Sequence, residues 1–157
     1  MGLLGFQEIK SKLESYCAYQ DRSLFDVEKK ISTFTNTKEE TERIIASLIK
    51  DGFLSQSRFI ESFVMGKVNQ KRWGKEKIRS GLIQHRIPNG LIDAALKNID
   101  KEKYQQNLLI LARKKSGSLN KETNTFEKKA KIMRFLYSKG YQSSDWENLD
   151  FSALLTS

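Results

Sequence analysis

Residues 58–87 read RFIESFVMGKVNQKRWGKEKIRSGLIQHRI, and the rest of the chain is expected to present this segment. Apolar residues recur through it at helical spacing, first as Phe59, Ile60, Phe63, Val64 and Val68, then as Ile78, Leu82 and Ile83. Between the two runs lies QKRWGK, residues 70–75, where an indole and a glycine sit inside a cluster of cations. The pattern predicts helix, basic break, helix. Lys67, Lys71, Arg72, Lys75, Lys77 and Arg79 put six cations into thirteen residues with Glu76 as the one acid. A solvated helix face mixes its signs, and at this ratio the cations cannot all pair with one another's neighbours.

The same grammar continues outward in both directions. Toward the N-terminus, Ile9, Leu13, Tyr16 and Cys17 make one buried stripe. Ser23 is placed to cap a second helix with Leu24, Val27, Ile31 and Phe34 on one face. Thr37 and Glu40 have capping-box spacing before a third helix that buries Ile44, Ile45, Leu48 and Ile49, and Gly52 follows where that helix would end. Toward the C-terminus, Pro88 suits the first turn of a sixth helix carrying Ile92, Ala95, Leu96 and Ile99. A seventh starts near Asp100, carries Tyr104, Leu108, Leu111 and Ala112, and ends in Arg113, Lys114 and Lys115. SGSLNKETNT, residues 116–125, is polar and aperiodic and is expected to be a flexible surface loop. Phe126, Ala130, Met133 and Tyr137 then predict an eighth helix closed by Gly140. Ser144 with Glu147 has capping-box spacing before a ninth, on which Trp146, Leu149 and Ala153 share a side.

The expected fold is therefore all-α, about nine short helices in three tandem three-helix repeats, elongated and curved. Repeat one covers residues 6–54, a basic repeat two 55–100 and repeat three 101–157. The segments LFDVEKKISTF from Leu24, RWGKEKIRSGL from Arg72 and TFEKKAKIMRFL from Thr125 each set charges around an apolar stripe in the middle helix of a repeat. A row of such units offers a concave surface suited to a long partner.

Composition bounds the chemistry. The 157 residues carry 28 Lys and Arg against 19 Asp and Glu, a net charge of +9, which attracts polyanions. One Cys17 and one His85 exclude an intramolecular disulfide and leave no basis for a zinc site; no cofactor is expected. Cys17 fits the core, and His85, near a helix end, fits the surface. Gly74-Lys75 lacks the earlier glycine and the following Ser or Thr of a phosphate-binding loop, since Asn69 and Glu76 stand there. No catalytic constellation is visible and no enzyme activity is expected. MGLLGFQEIKSKLESY turns polar too early for a secretory signal, and Phe6 stands where a myristoylation motif has Ser or Thr. A cytoplasmic, monomeric protein that does not enter membranes is expected.

KDGFLSQSRFIESFVMGKVNQKRWGKEKIRSGLIQHRI, residues 50–87, followed by LIDAALKNID and Tyr104, resembles the RecX family of bacterial recombinase regulators. The likeness extends more weakly to Arg22-Ser23 in the first repeat and FLYSKGY in the third. It implies three tandem three-helix units and a partner, the RecA filament on single-stranded DNA, whose ATP hydrolysis and strand exchange would be repressed. Recombination, DNA repair and the SOS response would be modulated in turn. By position, Arg58 and Phe59 match the family's Arg-Phe at the start of its second unit, and Trp73, Gly74, Ile78 and Leu82 match its aromatic-glycine turn and following helix. Ser55, Gln56 and Ser57 replace acids found there in many members.

The expected partner or DNA contacts are Arg58, Lys67, Lys71, Arg72, Lys75, Lys77 and Arg79. Trp73 could stack a base, but beside a glycine at a helix junction it is expected in the core, like Phe59, Phe63, Phe126 and Tyr137. The competing function is a basic helical module that grips DNA phosphates without any recombinase.

Overall fold

The structure, a computed structural model, describes residues 4–155. Met1, Gly2 and Leu3, which enter the reading of the N-terminus, and Thr156 and Ser157 of the third repeat lie outside the described residues. Those described form α-helices joined by turns, with no strand. The helices are α1 (Phe6–Tyr19), α2 (Leu24–Ser32), α3 (Lys38–Lys50), α4 (Gln56–Gly66), α5 (Lys75–Gln84), α6 (Asn89–Lys97), α7 (Lys101–Ser118), α8 (Thr125–Ser138), α9 (Ser143–Trp146) and α10 (Phe151–Leu155). A π-helical turn, Lys67–Lys71, extends α4. Two compact units result, one of Met1–Phe63 with Leu82–Asn89, the other of Val64–Gly81 with Gly90–Ser157.

In the first unit Ile9, Leu13 and Cys17 of α1 meet Val27 and Ile31 of α2, Ile44 and Leu48 of α3, and Leu54 in one core. Burial pushes the Cys17 thiol up from its ordinary pKa, so it behaves as a small apolar side chain. The Ser23 hydroxyl accepts from the Asp26 amide at 3.0 Å while the Asp26 carboxylate accepts from the Ser23 amide at 3.1 Å, closing a capping box on α2. Gly52 ties off α3 at φ +81°, with the Phe53 amide donating to the Leu48 carbonyl at 2.9 Å.

Two expectations fail here. Thr37 stands at the N-cap of α3 without a side-chain cap, because Glu40 instead accepts the Thr35 hydroxyl at 3.1 Å. Ile49 is 54% exposed, one position past a stripe that Ile44 and Leu48 already fill.

In the second unit α7 buries Tyr104, Leu108, Leu111 and Ala112, and the Asp100 carboxylate caps it by accepting from the Lys103 amide at 3.0 Å. α7 and α8 pack together, and α10 lies against both. The expected 116–125 loop shortens to 119–124. α7 continues through Ser118, burying Ser116, whose hydroxyl donates to the Leu154 carbonyl. Pro88 falls just before α6 rather than inside its first turn.

The α8 stripe is also corrected. Lys128, Ile132 and Leu136 face inward, whereas Phe126 and Tyr137 are 76% and 72% exposed. Two stripes compete on this helix. Ile132 and Leu136 win, with the Lys128 stem filling the position below them and its ammonium 3.5 Å from the Leu155 carbonyl.

Nor is the ninth helix continuous. Asp145, not Glu147, supplies the cap of α9, accepting from the Gln142 amide at 2.8 Å. Asp150 starts α10 by accepting from the Ser152 amide at 3.1 Å, and the helix is interrupted between Trp146 and Phe151. Leu154 takes the buried place expected of Ala153. On α5, Ile83 is 51% exposed beside the buried Ile78 and Leu82.

Two glycine backbones meet in this unit. The Gly74 amide donates to the Lys139 carbonyl at 2.7 Å, and the Glu76 amide to the Gly140 carbonyl at 3.0 Å. A Cβ on Gly74 would lie 2.3 Å from the Gly140 carbonyl carbon; one on Gly140 would lie 2.5 Å from Lys77 Cβ, and Gly140 also holds φ +101°. Gly140→Ala is therefore expected to lose about 3 kcal/mol or more through combined strain and overlap. Gly117→Ala, in a helix with open space around it, should gain about 0.5 to 1 kcal/mol. Urea unfolding of the two variants checks both signs.

Candidate functional site

The basic break is a built turn. After Gly66 the helix widens, and the Arg72 amide donates to the Lys67 carbonyl five residues back. The Trp73 amide donates to the same carbonyl at 3.0 Å. Widening frees the Val68 carbonyl, which accepts from Nδ2 of the buried Asn107 at 2.9 Å. Arg72 closes the turn at φ 53°, a conformation unusual for a side chain with a Cβ, and its carbonyl accepts the Tyr141 hydroxyl at 2.9 Å.

Tyr104 supports the other side, its hydroxyl accepting from the Lys75 amide at 2.9 Å. The Tyr104 and Tyr141 rings lie 5.1 Å apart, and burial raises both phenols well above their ordinary pKa. They are therefore neutral hydrogen-bonding props.

Six of the seven expected contact residues belong to this unit, and their situations differ. Lys67 and Lys77 place their ammonium groups 4.5 and 4.8 Å from the centre of the Trp73 ring. Lys75 lies 5.1 Å from the Tyr104 ring. Lys71 is exposed. Arg72 has a buried Nε with no hydrogen-bond partner among the described residues. Arg79 is held by Asp93 at 2.8 Å and Glu76 at 4.0 Å. It lines a shallow polar cleft of about 350 Å³ with Lys75, Gln142 and Asp145. Trp73 is only partly buried, because Gly74 occupies the tight backbone contact and leaves the indole beside the lysines.

Arg58 belongs to the first unit and, although exposed, is tied down by its neighbours. Its Nε donates to Asp21 at 3.0 Å and its Nη2 to the Gly52 and Phe53 carbonyls, each at 3.1 Å. The Ser62 hydroxyl, then Arg58, hold the Asp21 carboxyl below its usual range. His85 likewise has a structural setting that its neighbours in sequence do not signal. Its Nδ1 lies 3.1 Å from the Asp26 carboxylate, and its ring packs against Phe59 and Phe63, which is half-buried rather than core. The sequence reading also missed Arg72's role in the turn and its tie to Tyr141. A bulky residue before Trp-Gly carried no positive-φ signal.

Among the described residues no group of His, Cys, Asp and Glu could hold a metal ion, and no helix is long and apolar enough to cross a membrane.

Family models for the second and third three-helix domains of RecX match residues 55–96 and 102–145. The chain belongs to the RecX family. It is 36% identical over 119 residues to the regulatory protein RecX of Clostridium botulinum strain Alaska E43, covering 73% of this chain and 55% of that protein. With the protein of the same name from strain Eklund 17B it shares 37% over 119 residues, at the same coverages. The chain thus spans little more than half the length of these curated relatives. A crystal structure of regulatory protein RecX superposes with a TM-score of 0.81 at 25% identity, over 92% of this chain and 72% of that one. Another, of RecX from Lactobacillus salivarius, gives 0.85 at 20% identity over 96% of both chains, a likeness of fold. The all-helical architecture and the three-helix domains of the family are thereby shared by this chain.

The differing situations of the cations separate their roles. Arg58→Ala is expected to cost about 1 kcal/mol, since it removes an exposed ion pair to Asp21 and two bonds to carbonyls. Lys71→Ala should leave stability within about 0.5 kcal/mol. Thermal unfolding of the two single variants distinguishes them.

Proposed function

We propose that this protein binds RecA filaments on single-stranded DNA and inhibits their ATP hydrolysis and strand exchange, modulating recombination, repair and the SOS response. It acts by binding rather than catalysis, as a cytoplasmic monomer of three repeats spanning residues 6–54, 55–100 and 101–157. Membership of a family of regulatory proteins carries the reading. The basic turn supports it with Lys67, Lys71, Arg72, Lys75 and Lys77 as contacts to the filament's anionic groups. Arg79 is a weaker contact because two carboxylates already hold it, and Arg58 acts through the fold.

A second reading, a DNA-binding module independent of RecA, draws on the lysines around the turn, of which Lys71 is exposed and Lys77 and Lys75 rest on aromatic rings. Cations set on the outside of a turn suit contacts to phosphate oxygens.

The test is ATP hydrolysis by the cognate RecA on excess single-stranded DNA with this protein titrated in. Inhibition well below the RecA concentration is expected, and none at equal concentration would defeat the reading. Replacing Lys71, Arg72, Lys75 and Lys77 together with Ala should leave the helical circular dichroism intact. It should raise the half-inhibiting concentration about tenfold, or ~1.4 kcal/mol. If direct phosphate binding dominates, the salt slope of single-strand binding should fall by about 0.7 for each phosphate that is no longer neutralised.

A further inference from the structure

α8 is apolar on two sides. Lys128, Ile132 and Leu136 bury one side in the second unit. The other carries Phe126, Ala130, Met133 and Tyr137, at i, i+4, i+7 and i+11, so the four form a single stripe about three turns long. Both aromatic ends are mostly in solvent, Phe126 at 76% and Tyr137 at 72%, and Ala130 and Met133 between them are partly exposed. No ring or cation packs on either aromatic among the described residues. An apolar stripe on a helix is normally the face it buries, so this outer stripe lacks a cover.

We propose that the outer stripe of α8 docks into an apolar groove, edged by carboxylates, on a protein surface of the RecA filament. The choice of filament rests on the function proposed above; the choice of a protein groove rests on the stripe itself. Lys129, whose ammonium lies 4.9 Å from the centre of the Phe151 ring, flanks the stripe on one edge and Arg134 on the other, both exposed, and Arg134 has no ion-pair partner among the described residues. Glu127 is the acid beside them, so the rim is net positive and complements an acidic border. Aromatic ends with a flexible methionine between them suit a hot-spot contact that packs into pockets.

Nucleic acid does not fit this geometry. The two rings stand eleven residues apart, about 16 Å along the helix, whereas stacked bases repeat every ~3.4 Å. A single strand could use one ring and would leave the rest of the stripe wet. A second copy of this chain fits poorly too. A parallel α8 pair would set Lys129 of one copy beside Arg134 of the other. An antiparallel pair could set Arg134 against Glu127, but only by bringing together two molecules of net charge +9.

The test compares the fluorescein-labelled wild type with F126A/Y137A and with K129E/R134E. Each is titrated with RecA filaments on single-stranded DNA and, separately, with the same DNA alone. Because the replaced rings are exposed, the melting temperature and circular dichroism should not change. F126A/Y137A should weaken filament binding about tenfold or more and leave binding to DNA alone within about twofold of wild type. K129E/R134E should weaken filament binding and raise neither DNA affinity nor its salt slope.

Filament binding unchanged in F126A/Y137A would overturn the inference while leaving the proposed function standing. Equal losses on filament and DNA alone would make the stripe a nucleic-acid contact and would also overturn it. So would a wild-type dimer in sedimentation velocity that the double variant abolishes without loss on filaments. A wild type that binds DNA but no filament would instead defeat the proposed function first, and this inference with it.

Discussion

The contact between Gly74 and Gly140 is the constraint on which the second unit turns. Two backbones approach so closely that neither position has room for a Cβ, and amide-to-carbonyl bonds at 2.7 and 3.0 Å cross between them. The chain before Gly74 ends its helix by widening and then reverses through Arg72. The chain before Gly140 must end α8 in a left-handed turn, with the Tyr141 amide donating to the Leu136 carbonyl at 3.1 Å. From that second turn Tyr141 sends its hydroxyl to the Arg72 carbonyl, so each glycine turn supports the other. Glycine is required at both positions for proximity, and at Gly140 for φ as well.

One consequence is where the positive charge lies. A tight turn has no interior for side chains, so Lys67, Lys71, Trp73, Lys75 and Lys77 are displaced to its outside. Burying the four lysines among carboxylates would give a stable but occupied surface. Resting ammonium groups on aromatic rings leaves the charge near water. The contrast with Arg58 and Arg79 lies in how the charge is matched. A part-exposed ion pair contributes up to about 1 kcal/mol, and an exposed cation over a ring about 0.5 to 1, but the arginines' charges are already matched by the Asp21 and Asp93 carboxylates. Lys75 and Lys77 rest on rings that leave their charge unneutralised, so a phosphate or carboxylate meets no competing acid there.

Much of this was legible in the residues. Periodicity located the helices because each needs a stripe at spacing 3.6, and Ser23, Gly52, Asp100 and Gly140 marked ends because caps depend on local chemistry alone. Thr37 and Ser144 misled for the complementary reason. A capping box needs both partners free to meet, and Glu40 was drawn to Thr35, while the carboxylate that reaches the start of α9 is Asp145. Of the site, the cluster of cations was visible, but not which of them are neutralised. Asp93 and Asp21, the partners of Arg79 and Arg58, are distant in sequence. The π-helical widening was invisible, because it depends on Asn107 reaching Val68 from another helix.

α8 shows why a correct period can still select the wrong face. Its seven apolar residues fall on two sides, and hydropathy favours the side with two aromatic rings. Packing chose the other, because Ile132 and Leu136 fill the space against α7 and α10 without a polar group, and a lysine stem completes the layer. Phe126 and Tyr137 would bring larger rings, and the Tyr137 hydroxyl would need a partner inside. Core geometry thus explains what is buried but not why the outer positions remain aromatic. Exposed Phe and Tyr add little to the stability of a free molecule, since water surrounds them in both the folded and unfolded states. Their cost in solubility is offset only where a second surface removes them from water, and that surface must tolerate the lysine and arginine at the stripe's edges.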